Sequence, residues 1–200
     1  MMKQAFSKSI LVQQMHHGYV LLIIASIVLL VAFGGHTVTD FFKYQRESVL
    51  NGQLWRMFTA PLVHLTWSHA LMNLAGLFII WGLFAQTLSN RAWLILTFCC
   101  TLVISAGLLL LQPEVYWYVG LSGLLHSYFS AGAIADRHMH RFTSILMLIL
   151  LAGKLSWEQT LGPLPGSAET AGGKVITEAH LYGAISGLIV GWLLSLKSPR

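Results

Sequence analysis

The sequence predicts an all-α membrane protein, a bundle of six transmembrane helices with both the N- and C-termini in the cytoplasm. Composition is the first reason: 56% of the 200 residues are hydrophobic and 10% are charged, where soluble domains are roughly one-quarter charged. A soluble core cannot hide that much apolar surface, whereas a bilayer accepts a run of about 20 apolar residues as one spanning helix. The second reason is periodicity, because six apolar segments recur along the chain: about Gly18 to Phe33, Trp67 to Leu88, Trp93 to Leu111, Leu121 to Ala135, Phe142 to Leu155, and Ala179 to Leu196.

The first segment follows Lys3 and Lys8. It is long for the apolar region of a signal peptide and lacks an A-x-A-like cleavage site, so it reads as a retained helix. The fourth and fifth are short for isolated spans and are expected inside the bundle, where neighbouring helices surround them. With six spans both termini share a side, and Lys3, Lys8, Arg91, Arg137, Arg141, Lys197 and Arg200 then fall together in short segments. The positive-inside rule makes that side the cytoplasm. The opposite side receives a long loop from about Gly34 to Thr66, a short aromatic loop around Tyr116, Trp117 and Tyr118, and a Gly/Pro-rich loop from Glu158 to Thr177. Residues 1–200 read as a single domain. Internal repeat symmetry of the transporter kind is not apparent in the sequence.

The net charge of +5 does not indicate a nucleic-acid partner, because the twelve Lys and Arg are scattered and form no basic face. Cys99 and Cys100 are adjacent within an apolar run. They read as inert thiols and not as a disulfide framework.

The second, fourth and sixth segments all enter the membrane from the outer side, and each carries unusual polar residues within about two turns of that end. These are His69 and Asn73, Ser122 and His126, and His180. Residues four apart share a helix face, so the first two pairs each form one polar stripe. Ionisable or polar groups at that depth are costly without partners, which makes them functional candidates even though a lone Ser or His is commonly interhelical glue. Three helices bringing such groups to one level favours function.

Around the serine the chain reads Tyr118-Val119-Gly120-Leu121-Ser122-Gly123. Glycine allows a tight turn and close approach, and a helix N-terminus offers free amides and a positive dipole end to an oxyanion. Leu124 in the second place after the serine rules out the soluble-hydrolase elbow. In the sixth segment, Glu178-Ala179-His180-Leu181-Tyr182-Gly183 continues through Gly187 and Gly191 at four-residue spacing. That small-residue stripe lets helices pack closely and carries His180 toward a neighbour.

These residues resemble the rhomboid family of intramembrane proteases. The resemblance rests on Trp55-Arg56 in the first outer loop, His69-x-x-x-Asn73, Gly120-Leu121-Ser122-Gly123, and Ala179-His180-Leu181-x-Gly183-x-x-x-Gly187. It implies a six-helix bundle with a Ser-His dyad lacking a third acidic member, in which Ser122 is the nucleophile and His180 the general base. It further implies that His69, Asn73 and the Ser122 amide bind the oxyanion. Gly120, Gly123, His126, Gly183 and Gly187 would support the site. Trp55-Arg56 would serve a half-sunken structural loop with Phe41, Phe42 and Tyr44 as interfacial anchors, and the loop before His180 would be a mobile cap. No cofactor or metal is expected. His126 stands where many rhomboids carry tyrosine, a feature that resembles the rhombosortase subgroup of proteobacterial rhomboids. That likeness implies an enzyme of the bacterial inner membrane, opening to the periplasmic side. Its substrates would be membrane-anchored proteins whose C-terminal transmembrane anchor, of a Gly-Gly-containing type, is removed.

Two other readings compete. A catalytically inactive rhomboid relative would bind membrane clients without cutting them, but Ser122, His180 and Asn73 are all present. A channel or metal transporter would use His138 and His140 with the remote His16 and His17, yet no carboxylate-rich track accompanies them.

Overall fold

A computed structural model describes residues 18–196. Lys3, Lys8, His16, His17, Lys197 and Arg200, invoked above for orientation or metal binding, lie outside the described residues. Six long helices follow the six apolar segments: α1 (Tyr19–Phe33), α5 (Trp67–Phe84), α6 (Asn90–Leu111), α7 (Ser122–Asp136), α8 (Arg141–Leu161) and α10 (Thr177–Leu196). Short helices α2 (Gly35–Phe42), α3 (Arg46–Leu50) and α4 (Arg56–Thr59) fill the first loop, and α9 (Ser167–Ala171) lies in the last. Among these, α5, α6 and α10 are long and apolar enough to cross a membrane. Fifteen residues, the length of α1 and α7, rise about 22 Å, less than the ~30 Å hydrocarbon thickness.

The architecture departs from the sequence-based expectation in three places. It is not purely helical, since Tyr44–Gln45 (β1) pairs antiparallel with Trp117–Tyr118 (β2), joining two loops expected to be separate. Tyr44 is consequently fully buried against Val49, Met57, Ile104 and Leu108 and is no interfacial anchor, whereas Phe41 remains exposed. The fifth segment does not stop at Leu155: α8 continues to Leu161 and ends at Gly162, whose φ of +86° suits a residue without Cβ. Glu158, read as the start of the last loop, lies within this helix, one turn after Lys154, and the two pair at 2.7 Å.

Helix starts follow local chemistry. Thr66 caps α5 by accepting from the His69 amide at 3.1 Å, and Ser89 caps α6 by accepting from Ala92 at 3.3 Å. At the other end of α6, Arg46 Nη1 donates to the carbonyls of Leu108 and Gln112, a cation placed at the negative end of the helix dipole. Buried Arg56 donates from Nε to Gln53 Oε1 and from Nη1 to the carbonyls of Asp40 and Lys43, tying the end of α2 to α4. Trp55-Arg56 thus occupies a scaffold position in the first loop.

The most extensive helix contact is α7 against α10. Its seam is glycine-lined: a Cβ on Gly183 would fall 2.0 Å from the Gly123 carbonyl oxygen, and one on Gly187 2.2 Å from that of Ser127. Gly191 faces Ala131 in the same way. Side chains would separate these backbones, so the small-residue stripe sets the distance between the helix that carries Ser122 and the one that carries His180. Ser130 Oγ fastens the seam by donating to the Ala184 carbonyl at 2.9 Å.

Candidate active site

Ser122 opens α7. Gly120, two residues earlier, has φ +106°, a value that side chains disfavour, and its amide donates to the Ala60 carbonyl while Tyr118 Oη donates to its own carbonyl at 2.8 Å. This sharp turn aims the serine hydroxyl at α10. Ser122 Oγ donates to His180 Nε2 at 2.9 Å, joining residues 58 apart in sequence. His180 is buried and Ser122 half-buried.

The other ring nitrogen is also engaged. His180 Nδ1 donates to Glu158 Oε2 at 3.0 Å, and Glu158 Oε1 accepts from Lys154 Nζ at 2.7 Å. The resemblance implied a pair without an acidic partner; the structure instead sets a buried carboxylate behind the histidine. Glu158 was read as the first residue of a loop, and the signal that could have found it is Lys154-x-x-x-Glu158, an ion pair at the end of an apolar helix. His126 lies one turn below Ser122. Its ring stacks on that of His180, with centroids 4.3 Å apart and planes 13° from parallel, and its Nδ1 donates to the Ser122 carbonyl at 2.7 Å.

Across the serine, His69 and Asn73 are buried on α5 beside Gly120. A Cβ on Gly120 would fall 2.8 Å from His69 Nε2 and 3.7 Å from Asn73 Nδ2, so glycine leaves open the space that both side chains face. Asn73 Nδ2 and His69 Nδ1 are buried without hydrogen-bond partners among the described residues. An unpaired buried donor costs about 1–3 kcal/mol, so these two side chains hold hydrogen-bonding capacity that the described residues leave unused. The sequence reading missed His64. Its Nε2 accepts from the Leu121 amide at 3.4 Å, steadying the turn before the serine, and its ring meets His69 edge-on with centroids 4.7 Å apart. Burial, with His69 adjacent, pushes His64 down to about 3, so the ring stays neutral and able to accept.

A cavity of about 20 Å³ lies over Ser122 and His69, roofed by Ala171, Lys174, Val175 and Ile176 from the last loop. That is room for about one water. The roof is latched by Ser68 Oγ, which donates to the Thr170 carbonyl at 2.8 Å. A second, apolar groove of about 280 Å³ runs between α5, α7 and α8, with His126 and Lys154 among its walls. Potential ligand atoms of His126, Glu158 and His180 lie within 4.8 Å of one another. Stacked imidazoles, however, hold their lone pairs in parallel planes that cannot meet on one ion, so the cluster is not assigned as a metal centre.

A serine hydroxyl in contact with a buried histidine, set among apolar helices at a helix start, is an arrangement that suits an intramembrane serine protease. The chain belongs to the rhomboid family: the Rhomboid domain family model matches residues 51–197. It is also similar to the putative rhomboid protease YdcA of Bacillus subtilis (strain 168), at 22% identity over 161 residues, which cover 76% of this chain and 73% of the relative. Similarity to the rhomboid protease GlpG of Salmonella typhi is likewise 22%, over 183 residues. That match takes in 90% of this chain but spans 64% of the relative's length.

Proposed function

We propose that the protein is a serine endopeptidase that cleaves membrane-anchored proteins beside a transmembrane segment, with Ser122 as nucleophile and His180 as general base. The 2.9 Å contact between Ser122 Oγ and His180 Nε2 carries this reading. Ser122 Oγ attacks the scissile carbonyl as its proton passes to His180 Nε2, which then delivers it to the leaving amine. His69, Asn73 and the Ser122 amide stabilise the oxyanion, a role supported by the unpartnered Asn73 Nδ2 beside Gly120. Gly123, Gly183 and Gly187 hold the helices close enough for the pair to meet.

In this reading residues 1–200 form one protease domain, α1, α7 and α8 also cross the bilayer, and both termini are cytoplasmic. Arg91, Arg137 and Arg141, near the starts of α6 and α8 and the end of α7, support that orientation. The enzyme then sits in a bacterial inner membrane and opens to the periplasm. The substrates are proteins with a C-terminal transmembrane anchor of the Gly-Gly type, as for rhombosortases. His126 at the place of the common tyrosine supports that subgroup, and so does a cavity over the serine with room only for small groups.

Purified protein should label with a fluorophosphonate probe. It should also shorten a co-expressed client bearing a Gly-Gly-type anchor, read by mass spectrometry of the new C-terminus. Ser122→Ala and His180→Ala should each abolish cleavage, with the double variant no worse than either single. Turnover by Ser122→Ala would end the mechanism, and clients cut only at other kinds of anchor would end the subgroup assignment.

A further inference from the structure

We propose that Glu158 is a third member of the catalytic unit, a positioning residue that holds His180 in its basic tautomer, with Lys154 balancing its charge. The inference rests on the Ser122–His180 reading and adds to it the carboxylate behind the histidine.

The line of contacts is continuous: Ser122 Oγ to His180 Nε2 at 2.9 Å, His180 Nδ1 to Glu158 Oε2 at 3.0 Å, and Glu158 Oε1 to Lys154 Nζ at 2.7 Å. Tautomer chemistry makes the middle link informative. An ionised carboxylate only accepts, so Nδ1 must carry the ring proton, and the neutral ring must then present its lone pair from Nε2. That is the nitrogen facing the serine.

Burial favours function over a merely helical ion pair. An (i, i+4) pair that serves its own helix is at home on an exposed face, where it contributes little. Here the glutamate side chain is 3% exposed and turned into the bundle, while the lysine side chain keeps 30% exposure. Sinking a carboxylate among apolar helices is costly unless both oxygens are occupied, and both are: one by the lysine and one by the histidine. Lysine and glutamate together are neutral at rest. When the serine proton moves to Nε2, the new imidazolium lies against Glu158, and its charge is matched by the oxyanion forming on the substrate. Glu158 stays ionised throughout, and the proton on Nδ1 stays on the ring.

The remaining titratable groups near His180 do not duplicate this role. His69 faces it from α5, and His126 from α7. His126 stacks on the ring face and spends its own Nδ1–H on the Ser122 carbonyl, so it competes for neither nitrogen of His180.

The test is the second-order rate of fluorophosphonate labelling, measured from pH 5 to 9 on the purified full chain with melting temperatures alongside. Glu158→Gln should label about 10²- to 10³-fold more slowly than wild type. Its acid limb should move about one pH unit lower, because the carboxylate no longer favours the imidazolium. Glu158→Asp, which keeps the charge, should retain at least about a tenth of the rate with the limb in the wild-type position. Labelling of Glu158→Gln within about threefold of wild type, with an unmoved limb, would overturn the proposal. So would Asp and Gln variants that behave alike at matched melting temperature. If the Gln variant does not fold, Glu158→Leu combined with Lys154→Met, which replaces the buried ion pair by apolar side chains, decides by the same rate and limb. Ser122→Ala separates the layers: labelling that persists there refutes the Ser122–His180 reading itself, whereas its loss beside an unaffected Glu158→Gln removes only Glu158 from the unit.

Discussion

A single methyl group on α10 should disable the site without touching a reacting residue. Gly183 sits one turn after His180, and its Cβ position lies 2.0 Å from the Gly123 carbonyl oxygen, with Ser127 Oγ at 3.2 Å. Ordinary van der Waals contact begins near 3.4 Å, so Gly183→Ala is short by about 1.4 Å. The obstacle is backbone on the neighbouring helix and cannot rotate away. The helices must separate, and His180 travels with α10: a retreat of about 1 Å stretches the 2.9 Å contact with Ser122 beyond hydrogen-bond reach. Misplacement by about 1 Å costs roughly 10²-fold in rate, and overpacking costs about 1–3 kcal/mol of stability. Fluorophosphonate labelling rates and thermal melts in detergent read both. Gly82→Ala is the control, because nothing lies within 4 Å of its Cβ position. It should keep the wild-type rate. Gly183→Ala labelling within threefold of wild type, at the wild-type melting temperature, would refute the claim that this seam sets the catalytic distance.

Two further outcomes follow from particular contacts. His126→Phe and His126→Tyr preserve a ring against His180 and should keep much of the activity, whereas His126→Ala should lose most of it; complete loss in both aromatic variants would mean that a ring nitrogen takes part in the chemistry. His64 predicts an acid-sensitive fold: the unfolded chain binds its proton near 6.5 and the folded chain near 3. Stability should therefore fall as pH drops through that window, by up to about 1.4 kcal/mol per pH unit. His64→Gln should flatten the dependence of melting temperature on pH between 6.5 and 4, and an unchanged slope would contradict the assignment.

The candidate site was legible where its residue spacing is local. His69 with Asn73 and Ser122 with His126 are each one helical turn apart, and the glycines beside Ser122 and after His180 announce close approach by their spacing. Residues whose importance arises between helices were misread or missed. His64 stands in a loop, three residues before α5, and acquires its role from the Leu121 amide, 57 positions away. Tyr44 looked like a surface anchor because the pairing of β1 with β2, which buries it, joins two distant loops.

By itself the sequence determined the helical, membrane-adapted character of the chain, the order of its apolar segments and the polar residues, Ser122 and His180 among them, that the structure brings into contact. These depend on composition and on i, i+4 periodicity, which any stretch of helix expresses alone. Tertiary structure decided what stands behind the base. Glu158 and His180 are 22 residues apart on different helices, and only the packing of α8 and α10 turns a carboxylate that reads as the edge of a loop toward Nδ1. Burial gives that contact its force, since a charge withdrawn from water must find its partners within the protein, and a sequence does not display which faces of its helices meet.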